Sequence, residues 1–83
     1  MLKDGSFYKG QFWGGLKQGF GTDTLKNVSI YNGSFYGGMK NGFGILTNED
    51  NSIFKGEWKN GEMKGKFLEK KSDIDFYFPV FYK

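Results

Sequence analysis

A 23-residue period runs through the chain. Gly10, Gly33 and Gly56 fall one period apart, as do Gly15, Gly38, Gly61 and Gly19, Gly42, Gly65. The aromatics keep the same frame: Tyr8, Tyr31, Phe54, then Phe12, Phe35, Trp58. Residues 8–30 and 31–53 align without a gap and agree at 12 of 23 positions. A third unit, from Phe54, keeps Gly56, Gly61 and Gly65 but carries Phe67 where the first two have Gly21 and Gly44. A fixed period of this length marks one supersecondary unit copied and stacked on its neighbours. The frame divides the chain into units at about 8–30 and 31–53, a degenerate unit at about 54–71, and a tail, 72–83, all within one domain.

The unit reads as a β-hairpin. A turn signal falls inside each copy, within Trp13-Gly14-Gly15-Leu16-Lys17-Gln18, Tyr36-Gly37-Gly38-Met39-Lys40-Asn41 and Lys59-Asn60-Gly61-Glu62-Met63-Lys64. Glycine and asparagine tolerate the positive φ that tight hairpin turns demand. A second signal falls between copies, at Asp4-Gly5, Lys26-Asn27-Val28 and Glu49-Asp50-Asn51. The intervening runs of about 5–7 residues have ordinary strand length. Glycine, a poor helix former, interrupts every window long enough for a helix. The fold predicted is all-β: a single-layer antiparallel meander of tandem hairpins, with about six or seven strands.

Alternation assigns the side chains to faces. Tyr8, Gly10 and Phe12 share one face, as do Tyr31, Gly33, Phe35 and Phe54, Gly56, Trp58. The glycines Gly10, Gly15, Gly19, Gly21, Gly33, Gly38, Gly42, Gly44, Gly56, Gly61 and Gly65 read as gaps on which these rings pack. The opposite face carries Phe7, Ile30, Ile53, Phe20, Phe43, Ile45 and Leu68. Apolar strips on both faces of a thin sheet leave a surface for a partner.

Composition excludes much chemistry. The 83 residues contain no cysteine and no histidine. That removes thiolate and imidazole metal ligands and the usual nucleophile–base pairs, so no metal site and no cofactor is expected. Carboxylates such as Glu57 and Glu62 sit on a hairpin with no pocket to shift a pKa. Gly-Phe-Gly lacks the lysine and the following helix of a phosphate loop. The chain reads as a non-enzyme. Lysine supplies all 12 basic charges against nine acids, a formal +3, and with arginine absent nucleic acid is disfavoured. No apolar run is long enough to span a bilayer as a helix, and no signal-peptide pattern opens the sequence. A cytoplasmic protein is expected, free or peripheral to membrane or cytoskeleton.

The pattern Tyr-x-Gly-x-Phe/Trp-x-x-Gly-x-x-x-Gly-x-Gly resembles the membrane occupation and recognition nexus, or MORN, repeat. It stands as Tyr8-Lys9-Gly10-Gln11-Phe12 through Gly19-Phe20-Gly21, as Tyr31-Asn32-Gly33-Ser34-Phe35 through Gly42-Phe43-Gly44, and as Phe54-Lys55-Gly56-Glu57-Trp58 through Gly65. The resemblance implies a non-catalytic, elongated, twisted sheet that binds proteins, with acidic lipid headgroups as a second proposed ligand. Three departures, phenylalanine for tryptophan at Phe12 and Phe35, Phe54 for tyrosine, and Phe67 for glycine, predict looser packing in the third unit.

Two site readings follow. In the first, Tyr8, Phe12, Tyr31, Phe35, Phe54 and Trp58 form either a packed core or an open groove for a polypeptide, and Trp13, Tyr36 and Met39 project from the turns to touch it. Tyrosine and tryptophan are enriched in binding hot spots. In the second, Lys59, Lys64, Lys66, Lys70 and Lys71 on the hairpin 59–71 either guard an edge from aggregation or bind anionic lipid or an acidic protein patch. The tail, Ile74 to Lys83, is rich in strand formers. It closes the sheet as a capping strand or docks on a partner or a second copy.

Overall fold

The computed structural model describes residues 6–25 and 29–83. The turn signals at Asp4-Gly5 and Lys26-Asn27-Val28 lie outside them. Seven strands follow in chain order: β1 (Phe7–Trp13), β2 (Leu16–Leu25), β3 (Ser29–Tyr36), β4 (Met39–Asn48), β5 (Ile53–Lys59), β6 (Glu62–Lys70) and β7 (Phe78–Tyr82). They form one antiparallel sheet in the order β1 to β7. The all-β meander read from the sequence is the fold of this chain, and it measures 39 × 25 × 17 Å.

The internal turns are two residues long with positive φ at both positions: Gly14 and Gly15, Gly37 and Gly38, Asn60 and Gly61. Such turns match the right-handed twist of the strands that they join. The return strands run longer than the 5–7 residues expected, ten each in β2 and β4 and nine in β6. The reason is a repeated bulge. Gly10 pairs with Gly21 and Phe12 with Lys17, so one residue of β1 faces three of β2. The same shift recurs between β3 and β4 and, in shortened form, between β5 and β6. Each bulge contains a glycine at positive φ: Gly19, Gly42, Gly65. At the first, the exposed Phe20 N–H donates to Gln11 Oε1 at 2.8 Å, so the bulge leaves no orphan donor there.

The repeating glycines therefore do two jobs. Gly10, Gly21, Gly33, Gly44 and Gly56 lie under or beside rings, as expected. Gly15, Gly19, Gly38, Gly42, Gly61 and Gly65 do not. They supply positive φ in turns and bulges, a constraint that alternation alone does not reveal.

Two further expectations are revised. Phe67 does not loosen the third unit: it is fully buried. Its ring lies over Gly56 of the neighbouring strand, where a Cβ would come within 2.7 Å of it. In the second unit a β3 ring, Tyr31, covers β4 glycine Gly44. In the third, ring and gap have exchanged strands. The tail is also not foreign to the repeat. Gly21, Gly44 and Phe67 pair with Gly33, Gly56 and Val80, while Gly19, Gly42 and Gly65 pair with Phe35, Trp58 and Tyr82. Thus β7 takes the register of an opening strand, and the step from Gly56 to Val80 is 24 residues instead of 23. One extra residue in the preceding loop places Phe78, Val80 and Tyr82 on the face of the other rings.

Candidate functional site

The sheet has two unlike faces. On the inner face a continuous ladder of rings crosses all the hairpins: Phe12, Tyr8, Phe35, Tyr31, Trp58, Phe67 and Tyr82. Successive centroids are 4.9 to 5.5 Å apart and the planes meet edge to face at 75° to 86°. Such pairs each add about 0.5–1.5 kcal/mol beyond the area they bury. Tyr31, Phe35, Trp58 and Phe67 are the buried core. The Tyr8 hydroxyl donates to the Gln11 carbonyl at 2.8 Å and that of Tyr31 to the Ser34 carbonyl at 3.0 Å, tying rings to bulges. The Trp58 indole N–H points to the Gly44 carbonyl at 3.4 Å.

Lysines roof this core. Lys17 Nζ lies 5.3 Å from the Tyr8 ring centre and 5.6 Å from that of Phe35. Lys40 Nζ lies 5.4 Å from both Tyr31 and Trp58. Lys17 also pairs with buried Asp23 at 3.0 Å. Burial is the main cause that holds the Lys40 ammonium below its usual pKa. One period further on the position is Met63, packed against the same core. Lys17 and Lys40 recur in frame, which was the available signal. Alternation could not tell that their stems lie along the rings.

The open-groove reading of the inner row therefore needs correction. Tyr31, Phe35 and Trp58 are buried by ring-on-ring packing and present no free face. Tyr8 and Phe54 are half-buried against them. Phe12 alone of that row is exposed, at the end of the ladder. Of the five lysines, Lys59, Lys64, Lys66 and Lys70 fall on the outer side of β5 and β6. Lys59 borders a turn, Lys64 Nζ reaches the Lys83 carbonyl at 3.0 Å, and Lys71 Nζ lies 5.9 Å from the Phe78 ring centre. Lys66 and Lys70 alternate with Phe67 and so point to the outer face.

Among the described residues much of the outer face is open, with Tyr77 of the loop before β7 against Lys55, whose Nζ is 4.3 Å from the ring centre. Trp13, Tyr36 and Met39 stand exposed at the turn end of the first two hairpins, joined by Leu16. Trp13, Leu16, Gln18, Tyr36 and Gly37 line a hollow of about 510 Å³. Phe20 and Phe43, one period apart, rise from the middle of the same face and are 70% and 52% exposed. Between them lies a shallow trough of about 700 Å³, floored by backbone at Gly10, Gly21 and Gly33 and flanked by Lys9, Thr22 and Asn32. Phe7, Ile30, Leu68 and Phe81 extend the apolar surface. Phe20 and Phe43 were legible as an in-frame pair on this face. Their exposure stands out once the inner rings are seen to be buried.

Among the described residues no helix is long and apolar enough to cross a membrane. No curated protein matches the chain. A family model does: the MORN repeat matches residues 8–22, 31–53 and 54–66. These segments coincide with the three hairpins that carry the ring ladder, and the chain belongs to the MORN repeat family.

Proposed function

We propose that this chain is a non-catalytic module that binds another polypeptide through the outer face of its sheet. MORN repeats in general are interaction modules for proteins or membranes and carry no catalytic machinery. One observation carries the finer reading. The inner face spends its aromatics on its own core, whereas Trp13, Leu16, Phe20, Tyr36, Met39 and Phe43 stand exposed together on the other side. Four aromatics above 60% exposed share that face, Trp13, Phe20, Tyr36 and Phe81, and clustered exposed apolar side chains mark interaction surfaces. Large rings of this kind are typical anchors in protein interfaces.

The test is affinity capture from a lysate of the source cell with the wild-type chain, with Trp13→Ser/Tyr36→Ser/Met39→Ser, and with Phe20→Ser/Phe43→Ser. A stoichiometric partner held by the wild type at moderate salt and lost by either variant supports the assignment. A partner held equally by all three proteins overturns the outer face as its site.

A further inference from the structure

Charge is divided between the two faces as unevenly as exposure. On the inner face Lys17 and Lys40 meet Asp23 and Glu69, so 2 − 2 = 0. Both acids are engaged there: Asp23 with Lys17 and Glu69 with the Tyr82 hydroxyl. On the outer face the strand register places Lys9 opposite Thr22, Lys55 opposite Leu68 and Ile45, Lys66 opposite Phe81, and Lys70 opposite Ile53. Lys59 and Lys64 fall on the same face, and Glu57 and Glu62, opposite Lys64 and Lys59, are the acids among them. The sum is 6 − 2 = +4, and Lys64 Nζ also reaches the Lys83 carbonyl. Lys9, Lys66 and Lys70 stand beside the apolar residues, whereas Lys55 lies between Ile45 and Leu68 with its Nζ 4.3 Å from the Tyr77 ring centre.

We infer that the occupant of the outer face is an acidic polypeptide segment that seats apolar side chains around Phe20 and Phe43 and sets carboxylates against Lys9, Lys55, Lys66 and Lys70. This rests on the outer-face reading above and names the chemistry of its partner. A second copy of this chain is opposed by the charge, since +4 would meet +4. A lipid surface is opposed by the floor of the trough. The Thr22 hydroxyl donates to Asn32 Oδ1 in the middle of the apolar strip, and the exposed Asn32 amide still presents N–H donors. Acyl chains cannot satisfy such donors, and burying them unpaired costs energy. A peptide backbone or carboxylate can. Lysine flanks also speed the encounter with an acidic partner at low salt.

The experiment is selection of a random peptide display library on the full chain. The enriched peptides are then measured by fluorescence anisotropy against the wild type, Phe20→Ser/Phe43→Ser and Lys9→Glu/Lys66→Glu. Vesicles of phosphatidylcholine with and without phosphatidylserine are run in parallel. The expected result is enrichment of sequences that combine Asp or Glu with aromatic or aliphatic residues. Their affinity should fall about tenfold or more in each variant, consistent with the loss of anchor or charge complementarity. Neutral or basic peptides lost on Phe20→Ser/Phe43→Ser would overturn the acidic partner and leave the face in place. Peptides indifferent to both variants, or no enrichment at all, would sink the face as well. Binding to phosphatidylserine vesicles that competes with the peptides and is lost in the lysine variant would reassign the surface to lipid.

Discussion

The Tyr31 ring occupies the space that a side chain at Gly44 would need: a Cβ there would overlap the ring. Tyr31 is fully buried and bridges Phe35 and Trp58 in the ladder, so it cannot move aside without breaking two ring contacts. Gly44→Ala should therefore destabilise the fold by about 3 kcal/mol, the upper range for overpacking a core. Gly37→Ala meets no atom within 4 Å and carries only the strain of a positive φ, about 1 kcal/mol. Urea midpoints for the two variants, measured side by side, should fall in that order. Equal midpoints would mean that ring packing over the glycine floor contributes little.

Truncation should separate the two faces just as clearly. Phe67 is fully buried, and Phe67→Ala should cost about 3–5 kcal/mol. A chain of 83 residues has total stability on the order of 4–12 kcal/mol, so much of that variant should be unfolded at 25 °C. Phe20→Ser, on the exposed face, should stay within about 0.5 kcal/mol of the wild type. Circular dichroism melts of both variants check the contrast. A large loss in Phe20→Ser would show that the outer face packs on something within the chain.

Alkaline pH should unfold the sheet through its tyrosines. Burial, and next the charge of Glu57, push the Tyr31 hydroxyl from 10.0 up to about 12. Burial, and next Glu69, push Tyr82 to about 12. A raised folded-state pKa means that the unfolded chain loses the proton first. The stability it contributes is whole below pH 10 and is lost as pH rises from 10 to about 12. Lys40 acts in the opposite sense. Its lowered pKa makes its buried charge a cost at neutral pH that is relieved as pH approaches 10.5. Thermal midpoints should rise slightly toward pH 10 and then fall steeply. Tyr31→Phe/Tyr82→Phe should blunt the fall, and an unchanged profile in that variant would exclude these hydroxyls as its cause.

Removing β7 should harm more than its five residues suggest. Tyr82 packs edge to face on Phe67 at 5.3 Å, and Val80 sits directly opposite Phe67. A chain that stops at Tyr77 should expose the Phe67 ring and leave β6 as a bare edge, a known route to aggregation. Lower melting temperature and self-association in sedimentation are the expected readouts. A monomeric chain of unchanged stability would remove β7 from the fold's essential parts.

Much of this was legible in the sequence because one period governs both chemistry and geometry. Tyr8 and Tyr31, Phe12 and Phe35, and the turn glycines state the hairpins outright. Three things were hidden. Gly19 and Gly42 look like Gly21 and Gly44 on the page, yet the former pair twist the backbone and the latter lie on the ring-covered floor. Phe67 looked like a lost glycine because exchange of ring and gap between strands is a cross-strand relation, which no single-chain alignment displays. The tail was out of frame by one residue, and in a strand one residue reverses every side chain. Those same relations set what is exposed. With the inner rings closed on one another, the exposed aromatics are largely those of the outer face, which the glycine-centred reading had treated as secondary.

The strict order β1 to β7 has a mechanical consequence. Each strand hydrogen-bonds along its length only to the strands before and after it, while strands two apart meet through rings, Tyr8 on Phe35 and Tyr31 on Trp58. A load applied between β1 and β7 would pull roughly across the ladder hydrogen bonds and break them one strand pair at a time. Such a protein resists tension like a zipper, by a series of small yields. Under such a load the chain is expected to lengthen hairpin by hairpin.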